Sequence, residues 1–563
     1  MRLSGLLIKN YRRIGATECC IKIDEIVVLI GQNNAGKSTV LDAYEAFASG
    51  GKELDESHFN NENPDQNIEI TGIFSGISTD DEAVIGKKWS HHDPEYDQCI
   101  KVRWIWKKPN EKAQKQSFNP ETNQFEDGGV GGWDSLIQSR IPQPIRIRPT
   151  DPVETTQTKI VGMLKEHVKS RLKADSTSTK AVFDEIDRLT NKLFDEAKSA
   201  FDEVAQKITT NVSQVFPGTT IELIPKSKDA IDEKIVGAES YLRVGTELGA
   251  HTPLLLQGTG IQRALLWSAL AVMADVGGAK KKPKTNSDGG RILLIDEPEA
   301  FLHPPTIRNA RDSLYEFALN NPDWQVLATT HSPIFIDLSR DHTTIVRVDA
   351  SSSTQKFVST DKISFDAPER TRLQMVRACH PVVNEFFFYD NIVLVEGPTE
   401  QIVVNHIASA IGVDVHVINC LGKANIPLFA RILNQFQVPY LAVHDSDTPK
   451  VKRKEKMISG AMWSINESIR DVVSESYGGR IFTQFPHFEG EFLGESLSAG
   501  KVDRILEILS DPSSNEYRLI FDTYSKAINN NDASILTTTK EAFEAKCASY
   551  VSKNGLENSP LWV

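Results

Sequence analysis

An α/β fold of two successive domains is predicted for this chain by three observations. The first is the segment Gly31-Gln32-Asn33-Asn34-Ala35-Gly36-Lys37-Ser38, placed between the apolar run Ile26-Val27-Val28-Leu29-Ile30 and a helical stretch from Thr39 to Ala48. The second is the run Arg291-Ile292-Leu293-Leu294-Ile295, which reads as a buried strand and closes on Asp296 and Glu297. The third is a fresh series of strand signals near 392–395, 414–419 and 439–444, separated by helical stretches, as parallel βαβ units require. At 563 residues the chain exceeds what one core can fill. The expected boundary lies near 385, giving a first domain over 1–385 with a helical insert at about 154–216, and a second over 386–563 with a helical tail.

Composition narrows the class. A formal net charge of −13 argues against a protein that coats nucleic acid through bulk electrostatics, although local basic patches remain able to grip it. One such run is Lys450-Val451-Lys452-Arg453-Lys454-Glu455-Lys456. The sequence holds no 18-residue apolar run that would span a bilayer, and its opening Met1-Arg2-Leu3-Ser4-Gly5 lacks the apolar stretch of a secretory signal. A cytoplasmic protein without a membrane partner is therefore expected. The six cysteines are scattered without paired spacing, so neither a zinc site nor a disulfide framework is indicated.

Along the chain, Leu3 to Arg12 reads as an edge strand and turn, followed by strands near 19 to 30. Residues 68–74 and 100–106 alternate apolar and polar at period two, which suggests an antiparallel β subdomain inserted after the loop helix. The period then changes. Val182, Ile186, Leu189, Leu193, Ala197, Phe201, Val204, Ile208, Val212 and Val215 mark one stripe of a helix longer than 30 residues, stopped by Pro217-Gly218. That stripe must be covered, either by residues 156–173 of the same chain or by a second copy. The stretch 277–290 is a flexible basic loop by composition.

The glycine-rich segment has the makings of a phosphate cradle. Its backbone N–H groups from Gly31 through Thr39 can surround the phosphates of a nucleotide, with Asn33, Asn34, Ala35 and Gly36 forming the turn. Lys37 reaches the β and γ phosphates, and the Ser38 hydroxyl takes a place on Mg²⁺. Asp296 emerges from its strand where that Mg²⁺ would sit, and Glu297 is placed to orient or deprotonate an attacking water. Gln257-Gly258-Thr259-Gly260-Ile261-Gln262-Arg263 precedes a helix over 264–274, so the Thr259 hydroxyl stands at a helix N-terminus that favours an anion. Thr329-Thr330-His331-Ser332-Pro333 follows a strand and offers His331 as a γ-phosphate sensor.

This order of phosphate loop, signature, Asp-Glu strand and switch histidine resembles the ABC-type ATPases of the recombination and repair group over roughly residues 1 to 348. The resemblance implies ATP as cofactor with Mg²⁺, and a homodimer or higher oligomer in which Thr259 acts on nucleotide held by the partner. Thr259 stands where a Ser is usual and Gly258 where a Leu is usual; the hydroxyl survives. Ile141 to Arg148 is the candidate for that group's Q-loop.

In the second domain, Ile392-Val393-Leu394-Val395 ends in Glu396-Gly397-Pro398-Thr399-Glu400, and Tyr440-Leu441-Ala442-Val443-His444 ends in Asp445-Ser446-Asp447. The carboxyl ends of neighbouring parallel strands face one crevice, so these acids can converge there. Clustered carboxylates repel unless cations hold them, and Mg²⁺ or Mn²⁺ acting on a phosphodiester suits them. The basic run 450–456 follows directly, where a nucleic-acid backbone would approach.

Glu-Gly-x-x-Glu followed some 45 residues later by Asp-x-Asp is similar to the TOPRIM module of topoisomerases, primases and nucleases, and Gly422-Lys423 suits the same pattern. An ABC-type ATPase joined to TOPRIM resembles the OLD (overcoming lysogenization defect) family of ATP-dependent endonucleases. The resemblance implies that Glu396 and Glu400 bind metal or serve as base and that Asp445 and Asp447 bind metal. It also implies a further acid, for which Glu489 and Glu491 are candidates, and a catalytic lysine, for which Lys501 is the candidate. DNA is the implied substrate, and anti-phage defence the implied setting. A helicase, or a retron reverse transcriptase with its RNA–DNA product, is an implied partner. The alternative is a non-cleaving repair-type ATPase clamp whose TOPRIM module only grips nucleic acid.

Overall fold

The computed structural model describes residues 1–86, 89–127, 140–149, 186–224, 241–246, 249–258, 290–337, 343–349, 356–359, 383–453, 456–494, 500–530 and 532–562, with isolated positions between these stretches. It divides into two compact units, Met1–Phe357 and Val358–Val563.

The first unit holds two large sheets. One is antiparallel and runs in the order Cys19–Lys22, Arg2–Lys9, Ile68–Ser75, Asp97–Trp106, Gln114–Asn119, Gln124–Asp127, with His91–Asp93 paired to Asp97–Trp106. Here the sequence expectation needs correcting. The period-two strands do not form a separate insert; Ile68–Ser75 pairs along Arg2–Lys9 from Arg2↔Ser75 to Lys9↔Glu69, so the N-terminal strand lies inside this sheet, between Cys19–Lys22 and Ile68–Ser75. The alternation seen in the sequence marks a strand but carries no information about its partner, and Ile68–Ser75 is in fact buried along the whole run Ile70–Phe74.

The other sheet runs Lys356–Ser359, Thr343–Asp349, Ile26–Ile30, Trp324–Thr329, Arg291–Asp296, Gln143–Ile147, and its last five strands are parallel to their neighbours. Ile26–Ile30 is buried at every position, as a strand covered on both faces should be. The helix Lys37–Ala48 leaves from the tip of that strand. A shared core joins the two sheets across it through residues such as Leu6, Ile8, Leu29, Leu41, Phe47, Phe74 and Leu294.

The amphipathic stripe forms a helix described over Ile186–Val215, 30 residues long. Phe201, Val204, Ile208, Val212 and Val215 are buried. Their cover comes from the strand Thr219–Ile224 and the helix Pro304–Asn320. Residues 162–185, which include Val182 and most of the expected packing partner, lie outside the described residues, as do 277–289 and most of 264–274.

Among the described residues, His91, Asp93 and Cys99 bring potential ligand atoms within 4.8 Å of one another. Asp93, however, accepts the N–H groups of Glu95 and Tyr96 and pairs with Lys101 at 2.7 Å, so it serves the hairpin turn. The five described cysteines are unbridged. No described helix is long and apolar enough to cross a membrane.

The second unit centres on a four-stranded parallel sheet in the order His416–Asn419, Ile392–Val395, Tyr440–Asp445, Gly479–Gln484. The tail is helical over Lys501–Leu509, Asn515–Asn529 and Lys540–Lys553. Ile505, Ile508, Ile520 and Tyr524 from the first two of these helices join Val403, Val404 and Ile407 of the helix Pro398–Ile411 in one core. That packing fixes the start of the helix Lys501–Leu509 beside the start of Pro398–Ile411.

Candidate functional sites

In the first unit the phosphate loop takes the backbone its glycines permit. Gly31 has φ +138 and Gly36 φ +106, and at Gly31 a Cβ would meet the Val348 carbonyl oxygen at 2.3 Å. The Lys37 ammonium donates to the Gly31 and Gln32 carbonyls at 2.9 and 2.8 Å, so the lysine is folded back over its own loop. Burial pushes it down to about 8, against the opposing pull of Glu297, Glu299 and Asp296. The Ser38 hydroxyl donates to Asp296 at 2.9 Å, which brings together the two groups expected to share a cation.

Glu297 follows Asp296 with a left-handed backbone, φ +46, and stands 3.7 Å from His331 Nε2. Burial and the nearby Lys37 charge push the His331 imidazole below its usual range. The His331 N–H donates to Glu299 at 2.7 Å, tying the switch segment to the end of the Asp-Glu strand. Thr329 adds a hydroxyl donor to Asp296 at 3.1 Å. Thr259 lies outside the described residues.

Arg146, only one member of a broader candidate stretch in the sequence, is central here. Its guanidinium pairs with Asp296 and, at 3.1 Å, with Asp42 of the loop helix. It sits at the edge strand Gln143–Ile147, parallel to the Asp-Glu strand with Ile295 opposite Ile147. A cationic residue in an otherwise apolar strand end, Ile145-Arg146-Ile147, is the sequence signal that could have singled it out.

In the second unit Val395 and Val443 are register partners, so Glu396 and Asp445 emerge from adjacent strand tips. The Asp445 N–H lies 3.4 Å from Glu396 Oε2. Glu400 is buried in the first turn of the helix Pro398–Ile411. These three, with Glu489 and Lys501, line one cavity of about 550 Å³. Lys501 Nζ lies 2.7 Å from Glu489 Oε1, and His487 Nδ1 lies 3.0 Å from Oε2.

The electrostatics follow from that crowding. Burial pushes Glu396 up to about 7, with Lys423 opposing the rise and Asp447 and Glu400 adding to it. Burial raises Glu400 as well, and raises Asp445 well above its ordinary value, helped by the charges of Glu400, Glu396, Asp447 and Glu489. Burial also works against the Glu489 charge, but hydrogen bonds from His487 and Lys501 hold it at about 2. All the acids around the cavity offer oxygen donors, which fit a hard divalent cation such as Mg²⁺ or Mn²⁺ and relieve the same repulsion.

Two sequence candidates sit elsewhere. Glu491 pairs with Lys546 at 3.0 Å and accepts the Phe485 N–H at 2.7 Å, away from the cavity wall. Asp447, with φ +60, pairs with Lys423 at 2.7 Å and is not part of the wall, although it is near enough to raise both Glu396 and Asp445. Lys423, which the sequence placed in the TOPRIM pattern through Gly422-Lys423, is almost fully buried beside Asp447.

Two family models match separate stretches of the chain. Residues 26–337 match the family described as AAA domain, putative AbiEii toxin, Type IV TA system. Residues 387–447 match the family described as Overcoming lysogenization defect protein-like, TOPRIM domain. The chain belongs to the first of these families, whose match spans more than half of it, and it carries an OLD-like TOPRIM domain after that ATPase domain. By these two matches the chain is a P-loop ATPase fold followed by a TOPRIM domain. The chain is similar to the Old nuclease of Escherichia phage P2, 23% identical over 479 residues that make up 79% of this chain and 77% of the relative. It is also similar to the OLD nuclease of Thermus scotoductus, 28% identical over 233 residues, 38% of this chain and 43% of that relative. Among solved structures, an Smc head bound to the C-winged helix domain of ScpA aligns with a TM-score of 0.41 at 13% identity, covering 65% of this chain and 99% of that one. An Smc head from Pyrococcus furiosus aligns with a TM-score of 0.42 at 14% identity, covering 67% and 99%.

Proposed function

We propose that the protein is an ATP-hydrolysing, divalent-metal-dependent endonuclease that cuts or nicks DNA. The observation that carries the nuclease reading is the convergence of Glu396, Glu400, Asp445 and Glu489 on one cavity at the carboxyl ends of parallel strands. A bound cation there supplies charge stabilisation and an activated water for phosphodiester hydrolysis. The chain's own residues then have distinct tasks. Glu396, poised close to neutrality, is suited to accept a proton from water, whereas Glu489 stays ionised as a ligand. Lys501, at the cavity rim with its charge sustained by Glu489, is suited to a phosphate oxygen or to the leaving group.

In the ATPase, Lys37 and Ser38 hold phosphates and Mg²⁺, Asp296 is a Mg²⁺ ligand, Glu297 positions water and His331 senses the γ-phosphate. The proximity of Ser38, Asp296, Glu297 and His331 supports that assignment. Dimerisation through this unit is supported by the apolar surface beside its motifs, where Leu256 is 76% exposed and Phe301 68% exposed. A role in anti-phage defence, alone or with a helicase or a retron reverse transcriptase and its RNA–DNA product, belongs to the same reading and rests on the family resemblance.

The test is incubation of supercoiled plasmid with the full chain in Mg²⁺ or Mn²⁺, with and without ATP. New nicks or ends that disappear in Glu396→Gln are expected. Parental cutting by that variant would place the hydrolytic centre elsewhere.

A further inference from the structure

The strands Lys450–Arg453 and Lys456–Ser459 form a two-stranded antiparallel sheet of their own, and every residue of both strands is exposed. An isolated ribbon of this size is marginal unless something holds or covers it. Its base is held: Lys450 N–H donates to the Leu561 carbonyl at 3.1 Å, Gly460 N–H donates to Pro449 at 2.8 Å, and Thr448 Oγ1 donates to the Lys450 carbonyl at 2.8 Å. Gly460 is required at this joint, because a Cβ would meet the Thr448 carbonyl oxygen at 2.4 Å. The rest of the ribbon, beyond that anchored foot, meets solvent on both faces.

The register sets what each face carries. Lys450 stands opposite Ser459, Val451 opposite Ile458, Lys452 opposite Met457 and Arg453 opposite Lys456. One face therefore bears Lys450, Lys452, Met457 and Ser459, and the other bears Val451, Arg453, Ile458 and Lys456. Four cations stand on eight described ribbon positions of a chain whose net charge is −13, and none of them pairs with a carboxylate among the described residues. Between the cations lie exposed apolar side chains, Val451 at 38%, Met457 at 37% and Ile458 at 40%. Asp447 is only three residues from Lys450, so the foot of the ribbon lies within about 11 Å of that carboxylate along the chain.

We propose that this ribbon is a finger that enters a groove of duplex DNA and seats the duplex against the acidic cavity; this rests on the nuclease reading for its substrate. Cations on both faces suit a finger flanked by two phosphate backbones better than a surface lying along one strand. A two-stranded ribbon fits the major groove, roughly 12 Å wide, and its apolar side chains meet sugars and thymine methyl groups there. Single-strand recognition depends on aromatic platforms for stacked bases, and Lys450–Ser459 contains no aromatic residue.

The experiment uses the full chain carrying Glu396→Gln to prevent cutting, with binding of a duplex of roughly 30 bp and of its single strand measured between about 50 and 200 mM salt. Joint replacement of Lys450, Lys452, Arg453 and Lys456 by alanine is expected to weaken duplex binding by at least about tenfold. It should also flatten the slope of log affinity against log salt by about 3 to 4, near 0.9 for each phosphate no longer neutralised. Replacing the three lysines by arginine should retain binding, which separates charge from any disturbance of the ribbon. An unchanged slope in the alanine variant overturns the proposal, as does an equal loss on single strand, or a parent without duplex affinity. If ribbon-dependent duplex binding is found in a parental protein that makes no ends with any metal, the finger stands and the nuclease reading falls.

Discussion

The buried Lys423 ammonium lies 2.7 Å from the Asp447 carboxylate, and so places a fixed positive charge beside the acidic cavity before any metal arrives. The same charge opposes the rise in the Glu396 pKa. Lys423 thus keeps the acids on two neighbouring strand tips compatible with one another. Lys423→Met is expected to cost about 1 kcal/mol of stability, a small figure because Asp447 remains open to water on one side. Plasmid cleavage should fall by at least about tenfold, since the acids would no longer be held in register. Cleavage at the parental rate would mean that Lys423 is only a packing residue.

Glu489 and Glu491 give the sharpest contrast. Glu489→Gln is expected to reduce cleavage by roughly 100-fold or more, because it removes a carboxylate from the cavity wall and frees Lys501. Glu491→Gln should instead lower the unfolding free energy by about 2 kcal/mol through loss of the Lys546 pair. Thermal melts and single-turnover cleavage of the two variants distinguish the roles, and a Glu491 variant that melts normally but cannot cut would reverse them.

At the nucleotide site, Glu297→Gln should slow ATP hydrolysis by about 10² to 10⁴ while ATP remains bound. Trapped ATP should also drive the protein into a dimer measurable by light scattering. A variant that binds ATP and stays monomeric would remove the reading in which Thr259 acts on the partner's nucleotide.

The adjacent acids Asp24 and Glu25 predict a pH dependence of stability. Burial, then the hydrogen bond to Glu25, push Asp24 up to about 7, while that hydrogen bond chiefly holds Glu25 at about 2. An acid whose folded pKa exceeds its unfolded value of about 3.9 is penalised when ionised, so the penalty is absent below roughly pH 4 and complete above about 7. Asp24→Asn keeps a donor for Glu25 and carries no charge. It should melt higher than the parent at about pH 8, with the gap closing towards about pH 5. A gap independent of pH would show that Asp24 ionisation does not burden the fold.

Local features were legible because they depend on neighbours in sequence. The strand, glycine loop and helix around Lys37, the apolar run ending in Asp296, and the strand tips at Glu396 and Asp445 each announce themselves through spacing and periodicity. Parallel pairing then brings Glu396 to Asp445 by a general property of such sheets.

What the chain could not announce were choices between equivalent-looking residues and between strand partners. Glu489 and Glu491 share the short helix Phe488–Phe492, and two steps of about 100° set their side chains on opposite sides of it, so packing alone decides which one faces the cavity. Arg146, inside a broader candidate stretch, and Lys423, beside Gly422 in the TOPRIM pattern, gain their partners only when long-range packing buries them beside Asp296 and Asp447. The strand Ile68–Ser75 reads the same whether it forms an insert or pairs with Arg2–Lys9, because alternation marks a strand and not which backbone is adjacent. Sequence by itself determined the order of motifs and the kind of chemistry; tertiary structure decided which side chains take part, since burial and opposing charge arise only when distant segments meet.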